Sequence, residues 1–303
     1  LWRWTFPIDK VNQVKEELSP LSGKATYTET DNDLTVKANN RTFVFSKKDG
    51  QLKGVSVNNR KISFANGPRF IGARRADRSL DQFYNHDDEK AKEKDRTYSE
   101  FPDAAVFTKL DVREDGGNLI ITANYKLGNL DKAQWTINPS GIVTLDYTYN
   151  FSGVVDLMGI CFDYPEEQVI SKRWLGAGPY RVWQNRIHGT QYDVWENDYN
   201  DPIPGETFTY PEFKGYFGDV SWMNIQTKEG TISLTNETPD AYIGVYQPRD
   251  GRDRLLYTLP ESGISVLNVI PPVRNKVNST DLCGPSSQPK WVNGPQTGRV
   301  IFR

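Results

Sequence analysis

At 303 residues, the chain is long enough for one large β domain or two ordinary ones. Its net charge of -2 offers no basic surface of the kind that nucleic-acid binding requires. No stretch reaches the roughly 18 consecutive apolar residues that span a bilayer. We therefore expect neither nucleic acid nor a membrane among its partners. The 8 Trp, 15 Tyr and 14 Phe are unusual, because aromatic rings suit pleated sheets and also stack on sugars.

In chain order, residues 1–30 are predicted to be a lead-in segment from a preceding module, with two helical turns at 11–18. The segment 86–96 is polar all round and is predicted to be a solvated helix or loop. Elsewhere, short alternating runs bounded by turn residues predict β-strands. The predicted strands are 34–37, 42–45, 105–112, 119–125, 142–151, 221–226, 231–234, 241–246 and 264–270.

This pattern predicts an all-β chain. Turn residues such as Asp49-Gly50, Asp115-Gly116-Gly117 and Glu229-Gly230 connect the strands, and no repeat or low-complexity linker divides them. We therefore predict that residues 31–303 form one large antiparallel domain, in which two sheets pack face to face.

One short motif is far more specific than the strand pattern. Trp174-Leu175-Gly176-Ala177-Gly178-Pro179 resembles the Trp-Leu-Gly-x-Gly-Pro signature in the C-terminal domain of family-2 β-galactosidases. An aromatic residue and an arginine follow that signature at the spacing of Trp183 and Arg186. Because glycines permit tight backbone turns, we predict a turn here that presents Trp183 and Arg186 at a sheet edge.

Weaker resemblances to the same family follow in the same order along the chain. Asn66-Gly67-Pro68-Arg69 occupies the place of an Arg-Pro motif that leads toward the sugar. Residues 283–287 resemble a Gly-rich loop that carries a Trp toward the substrate, and Trp291 is the nearest Trp here. Two features depart from the family: residues 76–79 lack its Asp-Asn-Asp stretch, and no His follows His188. Because of these departures the resemblance does not identify the sugar, and they suggest a plant-wall or host polysaccharide.

The resemblance implies a galactose-mutarotase-like β-supersandwich that lines one wall of a substrate cleft. The catalytic carboxylates of such hydrolases lie on a (β/α)₈ barrel that this sequence does not contain. The implied partners are an oligosaccharide or polysaccharide and preceding domains of the same polypeptide. We expect a bacterial periplasmic or secreted protein whose signal lies upstream. The candidate carbohydrate-binding residues are Arg69, Tyr180, Arg181, Trp183, Arg186, Trp195 and Trp291.

The sequence offers no convincing catalytic pair of its own. Glycoside hydrolysis needs two carboxyl groups about 5 to 10 Å apart, and the candidate acids lie among ordinary turn formers. A free-standing mutarotase or epimerase is an alternative, since that chemistry resembles the mutarotase family's use of a Glu base and a His acid. The weak catalytic candidates are His188 and Glu212, and we expect the isolated chain not to be catalytic.

A pure carbohydrate-binding module is a third interpretation, because aromatic and charged residues alternate between residues 180 and 222. No cofactor is expected, although Asp193, Glu196, Asp198 and Asp201 could offer oxygen ligands to Ca²⁺. Cys161 and Cys283 are too few for a disulfide framework, and the sequence does not decide whether they form one bridge.

Overall fold

The computed structural model describes residues 23–75, 98–198, 215–245, 260, 262–272 and 284–303. Several predicted features lie outside these ranges. They are the segments 11–18 and 86–96, together with Asp201, Glu212 and Cys283.

Within the described ranges the chain is built from β-strands and two single-turn 3-10 helices. The helices span Glu166–Gln168 and Pro285–Ser287. The strands are β1 (Thr26–Glu29), β2 (Asp33–Ala38), β3 (Arg41–Ser46), β4 (Leu52–Val57), β5 (Arg60–Ile62), β6 (Ala65–Arg75), β7 (Tyr98–Glu100), β8 (Val106–Asp115), β9 (Asn118–Lys126), β10 (Leu130–Ile137), β11 (Val143–Val155), β12 (Leu157–Asp163), β13 (Val169–Gly178), β14 (Gln191–Asp198), β15 (Trp222–Thr227), β16 (Gly230–Asn236), β17 (Tyr242–Gly244), β18 (Ile264–Val269) and β19 (Lys290–Phe302).

These strands form two antiparallel sheets. Sheet 1 has the order β1-β2-β3-β4-β6-β12-β18-β17, with β5 beside β4 and β7 beside β6. Sheet 2 has the order β14-β13-β15-β16-β19-β11-β10-β9-β8. Its centre is the pair of 13-residue strands β11 and β19, which are in register from Val143 opposite Phe302 to Val155 opposite Lys290.

The strand alternation follows from burying one face of each sheet. In β11, Val143, Leu145, Tyr147, Tyr149 and Phe151 are buried while the residues between them are partly exposed. Because side chains point to opposite faces with a period of two, this pattern directs every second residue of β11 to the core. The same period is seen in β10, which pairs with β11.

The core lies between the two sheets and joins them through aromatic rings. Trp135 of sheet 2 is 1% exposed, and its ring centroid lies 5.6 Å from Phe45 and 6.0 Å from Phe162, both in sheet 1. Such edge-to-face contacts add to the free energy gained by removing apolar area from water. The predicted all-β, antiparallel two-sheet sandwich is therefore confirmed.

Sheet 1 is also covered on its outer face, which the strand prediction missed. Phe70 points into the main core while its neighbour Ile71 belongs to a second cluster with Cys161, Trp183 and Tyr216. Strands buried on both faces show continuous apolar runs rather than alternation. Six of the seven residues of β12 are buried, which explains why no strand was predicted there.

The first described strand belongs to sheet 1. β1 falls within residues 1–30, yet it pairs with β2 from Thr26 opposite Lys37 to Glu29 opposite Leu34. It is therefore an edge strand of sheet 1. Separately, none of the described residues forms a helix long and apolar enough to cross a membrane.

Candidate functional site

The signature segment, defined as residues 174–186, begins inside a strand. Residues 174–178 are the end of β13, which lies between β14 and β15. Neither Gly176 nor Gly178 has a positive φ, so the predicted turns at these glycines are wrong. The glycines permit close approach instead: a Cβ at Gly178 would lie 2.4 Å from the Trp195 ring, and one at Gly176 would lie 3.0 Å from the Gly218 carbonyl oxygen.

Trp174 anchors the segment in the main core. It is fully buried, its Nε1–H donates to the Ala177 carbonyl at 2.9 Å, and its ring meets Phe217 edge-on at 4.8 Å. Lys172 Nζ and Arg181 Cζ each lie 5.9 Å from the centroid of the Phe217 ring. Cations over an aromatic face are attracted by its quadrupole. Arg181, a predicted sugar ligand, is only 3% exposed and contributes here to the base of the site.

Trp183 lies in the layer that covers sheet 1. It is 1% exposed, and its ring meets Tyr216 edge-on at 5.7 Å. Its backbone closes a turn with Arg186, whose N–H donates to the Trp183 carbonyl at 2.8 Å. A ring without an exposed face leaves a sugar nothing to stack on. In this structure Trp183 fixes the position of the exposed Arg186.

The residues after this turn are accessible. Arg186 and His188 are exposed, and Tyr180 is half-buried. The Tyr180 hydroxyl donates to the backbone carbonyl of His188 at 3.4 Å, so this contact does not involve the imidazole. The loop therefore offers a phenol, a guanidinium and an imidazole to the surroundings. Nothing in the described geometry pairs His188 with a carboxylate for acid–base chemistry.

The late loop resembling the family's Gly-rich loop contacts the signature segment directly. Gln184 Nε2 donates to the carbonyls of Ser286 at 2.9 Å and Gln288 at 2.7 Å. Asn185 Nδ2 donates to Ser287 Oγ at 3.2 Å. The sequence prediction missed Gln184 and Asn185. Their position between Trp183 and Arg186, inside the signature segment, could have indicated them. Through them the turn at Pro285–Ser287 is fixed beside the signature.

Trp291 and Trp195 are candidate tryptophans near this region that are not fully buried. Trp291 is 71% exposed on β19. Trp195 is half-buried on β14, where its Nε1–H donates to the Gln191 carbonyl at 3.1 Å. The strand register places the Gly178 end of β13 and the Lys290 end of β19 at the same end of sheet 2.

Arg69 lies on the outer face of sheet 1, opposite Cys161 in the register of β6 and β12. Its guanidinium lies 2.5 Å from the Asp163 carboxylate, which also accepts from Asn66 Nδ2 at 2.7 Å. Burial raises the pKa of Cys161 to about 11, so this free thiol stays protonated and Asp163 is the charged partner of Arg69. Asp163 was missed by the sequence analysis, which named Asn66 only as part of the motif Asn66-Gly67-Pro68-Arg69.

The proposed calcium ligands can be followed only as far as Asp198 within the described residues. No three His, Cys, Asp or Glu side chains among the described residues are grouped as metal ligands. Asp193 and Glu196 are three positions apart on β14 and so project from opposite faces of the strand. Asp201 lies outside the described residues.

The described residues define an antiparallel two-sheet β-sandwich domain. The sequence profile of the beta galactosidase small chain family matches residues 37–269. The chain therefore belongs to the beta galactosidase small chain family.

Several solved structures resemble the chain, two of which are aldose epimerases or homologues of them. One is a galactose 1-epimerase from Lactobacillus acidophilus NCFM, with a TM-score of 0.48 and 9% identity over 93% of this chain and 98% of that one. The other is an aldose epimerase homologue from C. elegans, with a TM-score of 0.37 and 6% identity over 92% and 98%. No curated protein matches the sequence.

Proposed function

We propose that the chain is the C-terminal carbohydrate-recognising domain of a family-2-type β-galactosidase-like glycoside hydrolase, and that it lines the substrate cleft. Membership of the small-chain family over residues 37–269 carries this proposal. The contact between the signature segment and the turn at Pro285–Ser287 supports it, because two parts of the chain over 100 residues apart form one surface.

The sugar-facing residues in this proposal are those with accessible side chains. Trp195 and Trp291 supply ring faces for stacking, while Tyr180 and Arg186 supply hydrogen-bond donors. Arg69, which Asp163 holds in place, supplies a further donor on the outer face of sheet 1. Trp183 and Arg181, both buried, support this surface from beneath.

The proposal assigns hydrolysis to carboxylates on a (β/α)₈ barrel outside this chain. A general acid needs a carboxyl group whose pKa is raised toward neutrality. Glu229 shows the opposite: burial alone would raise its pKa, but hydrogen bonds from Ser63 and Tyr164 and the charge of Arg60 outweigh burial and lower it. Glu229 also lies beside Thr227, at the other end of β13 from Gly178.

The test is a titration of the purified chain with β-1,4-galactotetraose and a panel of plant-wall oligosaccharides, followed by ligand-observed NMR. We expect millimolar or tighter binding of at least one sugar. Trp291→Ala and Trp195→Ala should each weaken that binding about tenfold, which corresponds to about 1.4 kcal/mol. The unmodified chain should not hydrolyse 4-nitrophenyl β-galactoside.

Tyr27→Ala is the matched control, because Tyr27 is a 40% exposed aromatic residue on β1, at the far edge of sheet 1. It should leave sugar binding unchanged. Hydrolysis of the aryl galactoside by the isolated chain would refute the assignment of catalysis elsewhere. Failure of every oligosaccharide to bind would refute the recognition role.

A further inference from the structure

A cavity of about 200 Å³ opens at the end of the sandwich opposite the signature segment. It lies where β3, β4 and β5 of sheet 1 face the β15–β16 turn and the Phe302 end of β19. Thr227 and Glu229, which line it, are beside the start of β13, whereas Gly178 ends that strand. This site is therefore separate from the proposed sugar surface.

The walls of the cavity are mostly apolar and include four buried aromatic residues. Phe43, Phe64, Trp135 and Phe302 line it, and each is less than 9% exposed. Phe64 and Phe302 have ring centroids 5.2 Å apart. Protein interiors are otherwise close-packed, and an apolar cavity of about 150 Å³ is enough to take up a benzene ring. The present cavity has room for such a ring and a short chain attached to it.

One buried polar group in the wall lacks a partner within the described residues. Trp135 is 1% exposed, and its Nε1–H has no acceptor there. Buried donors of this kind usually find an acceptor, because a buried donor without a hydrogen bond costs about 1–3 kcal/mol. The wall of the cavity therefore contains a donor and is not wholly apolar.

Two arginines line the more exposed part of the cavity. Arg41 is half-buried and donates to the Gly141 carbonyl at 2.8 Å, while Arg303 is exposed. Burial and then the positive charge of Arg303 lower the pKa of Arg41, so the two cations interact unfavourably. No ion pair with a carboxylate engages either guanidinium among the described residues. An anion between them would relieve this repulsion.

The acidic residue at the cavity is already engaged. Both carboxylate oxygens of Glu229 accept hydrogen bonds, from Ser63 Oγ at 2.6 Å, from the Ser63 N–H at 3.0 Å and from the Tyr164 hydroxyl at 3.1 Å. Arg60 adds a positive charge near it. The charged residues that line the cavity are therefore Arg41, Arg303 and Glu229, and the hydrogen bonds of Glu229 are already made within the chain.

We infer that this cavity binds an arylalkyl carboxylate, with its ring among Phe43, Phe64, Trp135 and Phe302 and its carboxylate at Arg41 and Arg303. The four aromatic residues offer faces and edges against which a flat ring can pack, and the arginine pair favours an anion over a neutral or cationic head group. This inference does not rest on the proposed sugar function.

The test uses 3-phenylpropionate as the probe, with 3-phenylpropan-1-ol and 3-phenylpropan-1-amine as analogues of the same shape. Calorimetry on the full chain should show saturable binding of the acid, at least tenfold tighter than the alcohol and tighter still than the amine. Arg41→Gln should weaken the acid at least tenfold and leave the alcohol within twofold. Val57→Phe, which fills a half-buried part of the wall, should weaken acid and alcohol alike.

Arg113→Gln is the matched control, because Arg113 is an exposed arginine on β8 at the edge of sheet 2. It should leave acid binding unchanged, and thermal unfolding should show that each variant is folded. The inference is overturned if the acid does not saturate, if acid and amine bind equally, or if Arg41→Gln and Arg113→Gln have the same effect. Because 3-phenylpropionate and the oligosaccharides use different ends of the sandwich, either proposal can fail without the other.

Discussion

The two ends of the sandwich use aromatic and polar residues in different places. At the signature end, the aromatic side chains of Trp174 and Trp183 are buried so that polar side chains can be held in exposed loops. At the cavity end, aromatic side chains line empty space, and the polar groups lie around its mouth. One end is a supported surface, and the other is an apolar pocket.

This difference shows that a tryptophan in a binding motif need not touch the ligand. Trp183 is 1% exposed and Trp291 is 71% exposed, although both were candidates for sugar stacking. A buried ring acts through the position of its neighbours, and an exposed ring acts through its own face. The two roles predict different responses to truncation.

The largest expected effect distinguishes these roles. Trp183→Ala should lower the free energy of unfolding by about 3–5 kcal/mol, because it leaves a cavity in the cluster that covers sheet 1. Trp291→Ala is the matched change on an exposed ring and should alter stability by less than about 0.5 kcal/mol. Urea unfolding followed by circular dichroism measures both. If the two variants lose similar amounts of unfolding free energy, then a buried ring that positions its neighbours is not distinguished from an exposed ring that contacts sugar.

The sequence was sufficient for the fold class because period-two alternation is visible residue by residue in several of the strands. Strands such as β9 and β11, buried on one face only, were predicted within a few residues of their observed bounds. β12 was missed because its two buried faces erase the alternation. The same cause hid the covering layer on sheet 1, since that layer depends on contacts between segments far apart in the chain.

The site was predictable in part for a related reason. The signature segment is contiguous, so it could be identified from order and spacing alone. The burial of Trp183 could not be predicted in this way. Whether its ring faces solvent depends on contacts with Tyr216 and with the outer face of sheet 1. The cavity was not predictable at all, since its walls come from alternate residues of strands in both sheets.

A second prediction tests close packing at the signature end. Gly178→Ala should cost about 1–3 kcal/mol and displace Trp195, because the new Cβ would lie 2.4 Å from that ring. The cost should be accompanied by weaker binding of whichever oligosaccharide the unmodified chain binds. Gly54→Ala is the control: Gly54 lies on β4, has an ordinary φ, and has nothing within 4 Å of the added Cβ. Unfolding midpoints and the sugar titration measure the two effects, and equal costs would contradict the role given to Gly178.

The smallest predicted effect is a pH dependence at the cavity end. Because the folded-state pKa of Glu229 is lowered from 4.5, its carboxylate stabilises the fold above that value, and the contribution is lost as the pH falls through the lowered pKa. Glu229→Gln should therefore cost about 1 kcal/mol at pH 7, since the carboxylate is only partly buried and solvent screens its charge. The difference between the two proteins should shrink toward zero below about pH 4. Urea unfolding at pH 7 and pH 3.5 measures it, with Glu196→Gln on the exposed edge strand β14 as the control. A difference that grows as the pH falls would mean that the Glu229 carboxylate destabilises this end of the sandwich, and that Ser63 and Tyr164 do not hold it in its charged form.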